Sequence, residues 1–445
     1  MSGEDRLWRR HSYSYYIDGM SRRIAWALLV ISFASGCAWI EDQEFTDVDG
    51  PVAEVRRMLD ERAEALAAGD VEEYLTPVSG RALGLERKIA RGAVKLPLAG
   101  INVSLREADL APSGDVIKRA RVDFAYWFEE LPEDNLFHLH LLYDFERRDG
   151  AWHVTASRPE PVDTGHEERQ EPPPLPIWAT GPFEVNRSRH FLVLSRPDVR
   201  DLKRIAALAE KGRAELIGKL LIEADPKHLI VVAGGGDEFL SFVGGNVPER
   251  SVAVAQFASS QVAAHNLRPE NRQLVVNLAA LFGGEGGPAD EEHAYLADAL
   301  PTEVFRHELG HLALSRVTTQ YTPGWVFEGG AMELAEERRT DDWRAGLASG
   351  AFDEMSFVGL SRESNLENAA EYAYANAAVS YLVDEHGRKK FFEFYRSFRE
   401  FEVEEQKSLK VIRGERTRRL LKLVYSLDED ELDARTIAWM RREAG

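Results

Sequence analysis

The alternation of apolar and polar positions divides this chain into segments of different period. Val52, Val55, Met58, Leu59, Ala63 and Leu66 recur at helical spacing, an apolar stripe opened by Asp49-Gly50-Pro51 and closed by Gly69. The period then shortens. Residues 101–105 and 120–128 alternate, and Phe137, Leu139, Leu141, Tyr143 and Phe145 line one face of a longer strand. Asp149-Gly150 predicts a tight hairpin returning through Trp152 and Val154. Residues 159–178 carry Pro159, Pro161, Pro172, Pro173, Pro174 and Pro176 among many charges and read as a stiff, exposed linker between domains.

Beyond it the pattern restarts with a strand at 191–194, a helix at 199–221 and a continuous apolar run at 229–233. Gly234-Gly235-Gly236 lacks the Gly-Lys-Ser/Thr of a phosphate loop, so a turn into a helix at Asp237 is expected. Strands follow at 252–257 and 274–277, then a loop with Gly283, Gly284, Gly286 and Gly287. Pro301-Thr302 reads as a helix start with Thr302 as N-cap, and Val304, Phe305, Leu309 and Leu312 give that helix an apolar side. A loop at 318–324, a helix at 325–338, another at 370–385 and charged, apolar-striped helices to Arg442 complete the chain. The expectation is an α+β protein of two domains, 51–158 and 179–445.

Composition narrows the function. The chain has 445 residues, 44% of them hydrophobic, ample for packed cores. A net charge of −20 supplies no broad cationic face for phosphates, so no nucleic-acid partner is expected. Its single cysteine, Cys37, excludes an intrachain disulfide. Arg22-Arg23, an apolar stretch over 24–34, and Ser35-Gly36 precede that cysteine.

The chemistry centres on His307-Glu308-Leu309-Gly310-His311, followed 17 residues after His311 by Glu328. Positions four apart share a helix face, so both imidazoles can converge on one cation with Glu308 beside its open position. Glu328, on the next helix, would complete the set. His138 and His140 also share a face and could suggest a second metal. The Asp-Gly turn puts His153 opposite Glu146, ~20 Å from His140 at the usual strand rise, so no site is assigned there and a solvated face is expected.

Three resemblances follow from these residues. His-Glu-Leu-Gly-His with Pro-Gly-Trp-Val-Phe-Glu-Gly-Gly-Ala at 323–331, and the strand ending at Asn277 before it, resembles the gluzincin metallopeptidases of the bacterial peptidase MA-like family over roughly 179–400. It implies one Zn2+ held by His307, His311 and Glu328, Glu308 as general base, and a peptide or protein substrate. Tyr372 matches a tyrosine on that family's following helix and would hydrogen-bond the oxyanion; Tyr374, two residues on, cannot point the same way. The family often has a carboxylate four residues after the third ligand to orient a histidine. Here that position is Met332, with Glu333 next, which puts turnover more in doubt than zinc binding.

Residues 20–37 resemble a bacterial lipoprotein signal peptide, with Met20 as the true start, 1–19 an over-extended start, Cys37 as the lipidated residue and 38–50 as a tether. The alternative is an uncleaved signal anchor, and both put the bulk of the chain outside the cytoplasm, anchored to a membrane. Residues 51–158 are similar to the NTF2-like (SnoaL-like) fold, which hosts enzymes and binding modules alike, so a protein partner or small ligand is open there. The expected function is a zinc-dependent peptidase acting from a lipid anchor. The alternative is a non-catalytic, zinc-stabilised surface lipoprotein that binds a partner through its NTF2-like domain.

Overall fold

The computed structural model describes residues 50–110, 114–161, 175–220, 225–243, 251–258, 270–282 and 294–444 except 354, 364, 367 and 400–406. Cys37, the signal-like stretch, the tether before Gly50, residues 162–174 of the expected linker and the glycine loop at 283–287 lie outside them. Among the described residues no helix is long and apolar enough to cross a membrane.

The chain is α+β with two sheets. The first part opens on α1 (Pro51–Ala67), whose Val52, Val55, Leu59, Ala63 and Leu66 are buried as the stripe requires, and Gly69 follows at φ 79°. Two elements without a sequence signal intervene, α2 (Val71–Leu75) and α3 (Leu83–Ala93). The antiparallel meander β1 (Leu98–Leu110), β2 (Val116–Phe128), β3 (Phe137–Arg148) and β4 (Ala151–Pro159) then follows in chain order. Asp149 and Gly150 both have positive φ, 51° and 81°, as a two-residue hairpin matching the strand twist demands, and His153 pairs with Glu146.

The expected exposed linker is shorter than the proline pattern suggested. Pro159 ends β4, and α4 (Ile177–Thr180) buries Ile177 and Trp178, because the Trp178 indole packs against Phe124 and Tyr126. After α4 come β5 (Glu184–Arg187), β6 (Phe191–Ser195), α5 (Leu202–Ile217), β7 (His228–Ala233), α6 (Gly236–Val243), β8 (Ala253–Ala258), β9 (Glu270–Asn277) and α7 (Leu278–Leu281). The second sheet has the order β5-β6-β7-β9-β8; β6, β7 and β9 are parallel, and both outer strands run antiparallel. Every residue of β6 and β7 is buried because both faces are covered. Phe191, Val193, Ile230, Val232, Leu274 and Val276 pack with the helices that follow. Leu192, Leu194, Leu229, Val231, Val254 and Val275 share one apolar cluster with α1, α3 and the first sheet.

The remainder is helical: α8 (Ala294–Leu314), α9 (Gly324–Leu334), α10 (Thr340–Ser349), α11 (Phe357–Leu360), α12 (Ala369–His386), α13 (Arg388–Ser397), α14 (Leu409–Tyr425) and α15 (Glu429–Ala444). Two expected boundaries move. Pro301 lies inside α8 rather than at its start, so it removes one interior backbone hydrogen bond, and Thr302 is no N-cap. The helix expected over 325–338 stops at Leu334, for a reason that bears on the site.

Candidate metal centre

Helix α8 carries His307 and His311 one turn apart, so both rings leave the same face. Helix α9, buried at every residue, crosses beside it, and Gly310 permits the approach: a Cβ there would lie 3.3 Å from the Ala331 carbonyl oxygen. The crossing delivers Glu328. His311 Nε2 is 3.1 Å from His307 Nε2, and Glu328 Oε2 is 3.4 Å from the first histidine's Nε2 and 3.3 Å from that of the second.

These three separations can be compared with a cation's needs. Bonds of about 2.0–2.1 Å to three tetrahedral positions hold the donors about 3.3–3.4 Å apart, close to what is seen here. Glu328 Oε2 is also a buried acceptor with no hydrogen-bond partner, an atom a cation would satisfy. The donor set of two imidazoles and one carboxylate suits zinc. His307, His311 and Glu328 could therefore hold a metal ion, and their chemistry suits zinc.

Each histidine is held from behind. Phe327 stacks on His311 with centroids 4.1 Å apart, and His307 Nδ1 lies 3.0 Å from Glu337 Oε2. With its proton on Nδ1, facing Glu337, His307 presents the Nε2 lone pair to the metal position. Glu337 thus puts a carboxylate beside His307, where Met332 has none to offer. Met332 is packed in the apolar core, and Glu333 pairs instead with Arg338 and Arg388.

Glu337 reaches His307 because α9 ends early. The Glu337 N–H donates to Met332 O at 2.8 Å and the Glu336 N–H to Glu333 O at 3.2 Å, with Glu336 left-handed at φ 54°. That is a Schellman turn with glutamate where glycine is usual. Asn376 of α12 then clips it: its Nδ2 donates to Glu337 O at 2.8 Å, and its Oδ1 accepts from the Arg339 N–H at 3.1 Å. Neither Glu337 nor Asn376 had a sequence signal, since Glu-Glu-Arg-Arg reads as solvated charge.

Glu308 is 1% exposed. Its Oε2 accepts from the Ala255 N–H of β8 at 2.8 Å, and its Oε1 is buried without a partner. Burial raises its pKa to about 8 in the metal-free protein, against the lowering effect of His307. For His307, burial favours the neutral ring, but the Glu328 and Glu337 carboxylates outweigh it and lift the pKa to about 10. Burial dominates at His311, which falls to about 4. Burial works against ionising Glu328, but His311 and His307 hold its pKa below the ordinary value.

Tyr372 lies near the same carboxylates. Burial, then the charges of Glu328 and Glu308, keep its phenol protonated well beyond the usual range. Tyr374 points elsewhere, donating to Asp433 Oδ1 at 2.8 Å and stacking on Phe357, so its role is packing. The second histidine pair is less exposed than a solvated face implies. His138 Nδ1 lies 2.9 Å from Asp123 Oδ2 and its Nε2 3.4 Å from Glu270 Oε2, because β9 covers it. Among the described residues only His307, His311 and Glu328 group as metal donors.

No family model and no curated protein matches this chain. Among solved structures, that of Rv3472, a protein of unknown function from Mycobacterium tuberculosis, is similar over 28% of this chain and 77% of that one, at 10% identity and a TM-score of 0.21, too slight a likeness to argue from.

Proposed function

We propose that this chain is a zinc-dependent peptidase of the gluzincin type. The observation that carries the reading is the convergence of His307 Nε2, His311 Nε2 and Glu328 Oε2 beside a buried carboxylate, Glu308, whose Oε1 is uncommitted. Zinc, when bound, supplies a Lewis acid that brings the pKa of water toward ~7 and polarises a carbonyl. With a dication beside it to return it to the carboxylate form, Glu308 would accept the proton of the attacking water at Oε1 and pass it to the leaving amine, while the Ala255 N–H fixes Oε2. The Tyr372 hydroxyl, kept protonated, donates to the developing oxyanion. A peptide substrate is what the resemblance of residues 307–311 and 323–331 to the gluzincin metallopeptidases implies.

Two carboxylates separate a catalytic zinc from a structural one. Glu328→Gln should lower zinc content, having lost an anionic donor. Glu308→Gln should keep zinc and fold normally, yet slow cleavage of a peptide library roughly a hundred- to ten-thousandfold. Metal analysis and library digestion by the two variants decide it. Peptidase activity that survives Glu308→Gln belongs to another site and withdraws the assignment; zinc without activity in the wild type favours a stabilising ion.

The membrane anchor rests on the sequence around Cys37. Cys37→Ser should leave the protein either unprocessed or released. A processed form that stays membrane-bound would remove the lipoprotein reading.

A further inference from the structure

Between the two sheets lies a cavity of about 140 Å³. Tyr126, Phe137 and Trp178 wall it on one side and Leu229 and Val231 of β7 on the other. An apolar cavity of about 150 Å³ is enough to hold benzene. The space therefore suits a single ring.

This cavity also has a polar end. His138 borders it through the backbone N–H that binds Asn271, its ring lying on the other face of β3 from Phe137, with Nδ1 2.9 Å from Asp123 Oδ2 and Nε2 3.4 Å from Glu270 Oε2. Asn271 stands there at φ 55°, in the left-handed region that asparagine tolerates better than most residues other than glycine. That conformation is kept by the Asn271 N–H, which donates to Leu136 O at 2.7 Å, and by its Oδ1, which accepts the His138 N–H at 2.9 Å. Gln273 Nε2 donates to Gln256 Oε1 at 2.8 Å on the opposite side. Polar groups converging at one end of an apolar space at the junction of two sheets is how small-molecule sites are built.

Charge selects the guest. No lysine, arginine, aspartate or glutamate is among the described residues that line the cavity, so a carboxylate guest would be desolvated beside no cation, whereas a hydroxyl can donate to and accept from the carboxamides. We propose that this cavity binds a small neutral molecule, one ring in size, whose hydroxyl or amide is seated between Asn271 and the Gln256–Gln273 pair. No proposed metal ligand takes part, so the site stands or falls separately from the peptidase reading.

Calorimetric titration of the full chain with phenol and with benzoate at neutral pH tests this. Phenol, with about seven heavy atoms, should bind saturably at one site with a Kd of about 1 mM or tighter. Benzoate should bind at least tenfold more weakly. Val231→Phe fills the space and should abolish phenol binding while unfolding remains cooperative. In crystals soaked with 4-bromophenol, the bromine signal should lie inside the cavity, which decides the matter should the filled variant fail to fold. No saturable phenol binding, equal affinity for benzoate, unchanged affinity in a folded Val231→Phe protein, or bromine only elsewhere would each overturn the proposal.

Discussion

Glu337 shows how much of the site depends on one side chain that touches no metal donor position. Its Oε2 lies 3.0 Å from His307 Nδ1, a contact that would favour the tautomer able to offer Nε2 to the proposed zinc. Losing such a partner typically lowers metal affinity or activity ten- to a hundredfold. Glu337→Gln keeps the shape and removes the charge, and a chelator-competition titration should show zinc affinity falling within that range. An unchanged affinity would mean that packing alone orients the ring, as Phe327 does for His311. The local sequence gave no warning of this role: Glu337 follows Glu328 by nine residues, beyond the end of α9, where no helical spacing applies.

Among the elements, α9 and α12 do most to fix the centre. Helix α9 carries Glu328, α12 carries Tyr372 and Asn376, and Gly329 lets the two meet. A Cβ on Gly329 would lie 2.3 Å from Val379 Cγ2 and 3.1 Å from the Ala375 carbonyl oxygen, so one helix must move. Gly329→Ala should cost about 1–3 kcal/mol by overpacking and weaken zinc binding, since Glu328 is the next residue. Val379→Ala in the same chain frees the first of those contacts and should restore part of the loss, read as a coupling between the two sites in denaturant unfolding. Strictly additive effects would show that the strain lies elsewhere.

Across the whole molecule, the two sheets do not behave as beads on a string. One face of the second sheet belongs to the same apolar cluster as α1, α3 and the first sheet. Asn135 also binds the Arg272 backbone in both directions, donating at 3.0 Å and accepting at 2.9 Å. Buried Arg272 is held between Asp134 and Asp225, at 2.7 and 3.1 Å. A stiff, exposed linker by itself would let cleavage between Pro159 and Pro176 leave two folded pieces that part from one another. With this interface the pieces should stay together after a protease site inserted within 162–174 is cut, co-eluting until denaturant is added. Separation on cutting would show the shared cluster to be weak.

What the amino-acid order determined by itself is whatever depends on short-range period. The stripe of α1, the alternation of β2 and β3, the Asp149-Gly150 turn and the pairing of His307 with His311 on one face all follow from repeats of a few residues. Glu328 was legible because one loop and the start of one helix separate it from the pair. Tertiary structure alone decided the rest: that α8 runs through Pro301, that α9 stops at Leu334 so that Glu337 can turn back, that Asn376 clips that turn, and that the Ala255 N–H holds Glu308. Each of these joins groups distant in sequence, or lets packing outweigh a local preference. Periodicity describes which side of an element is apolar; which backbone groups and carboxylates meet there is set only when the elements close on one another.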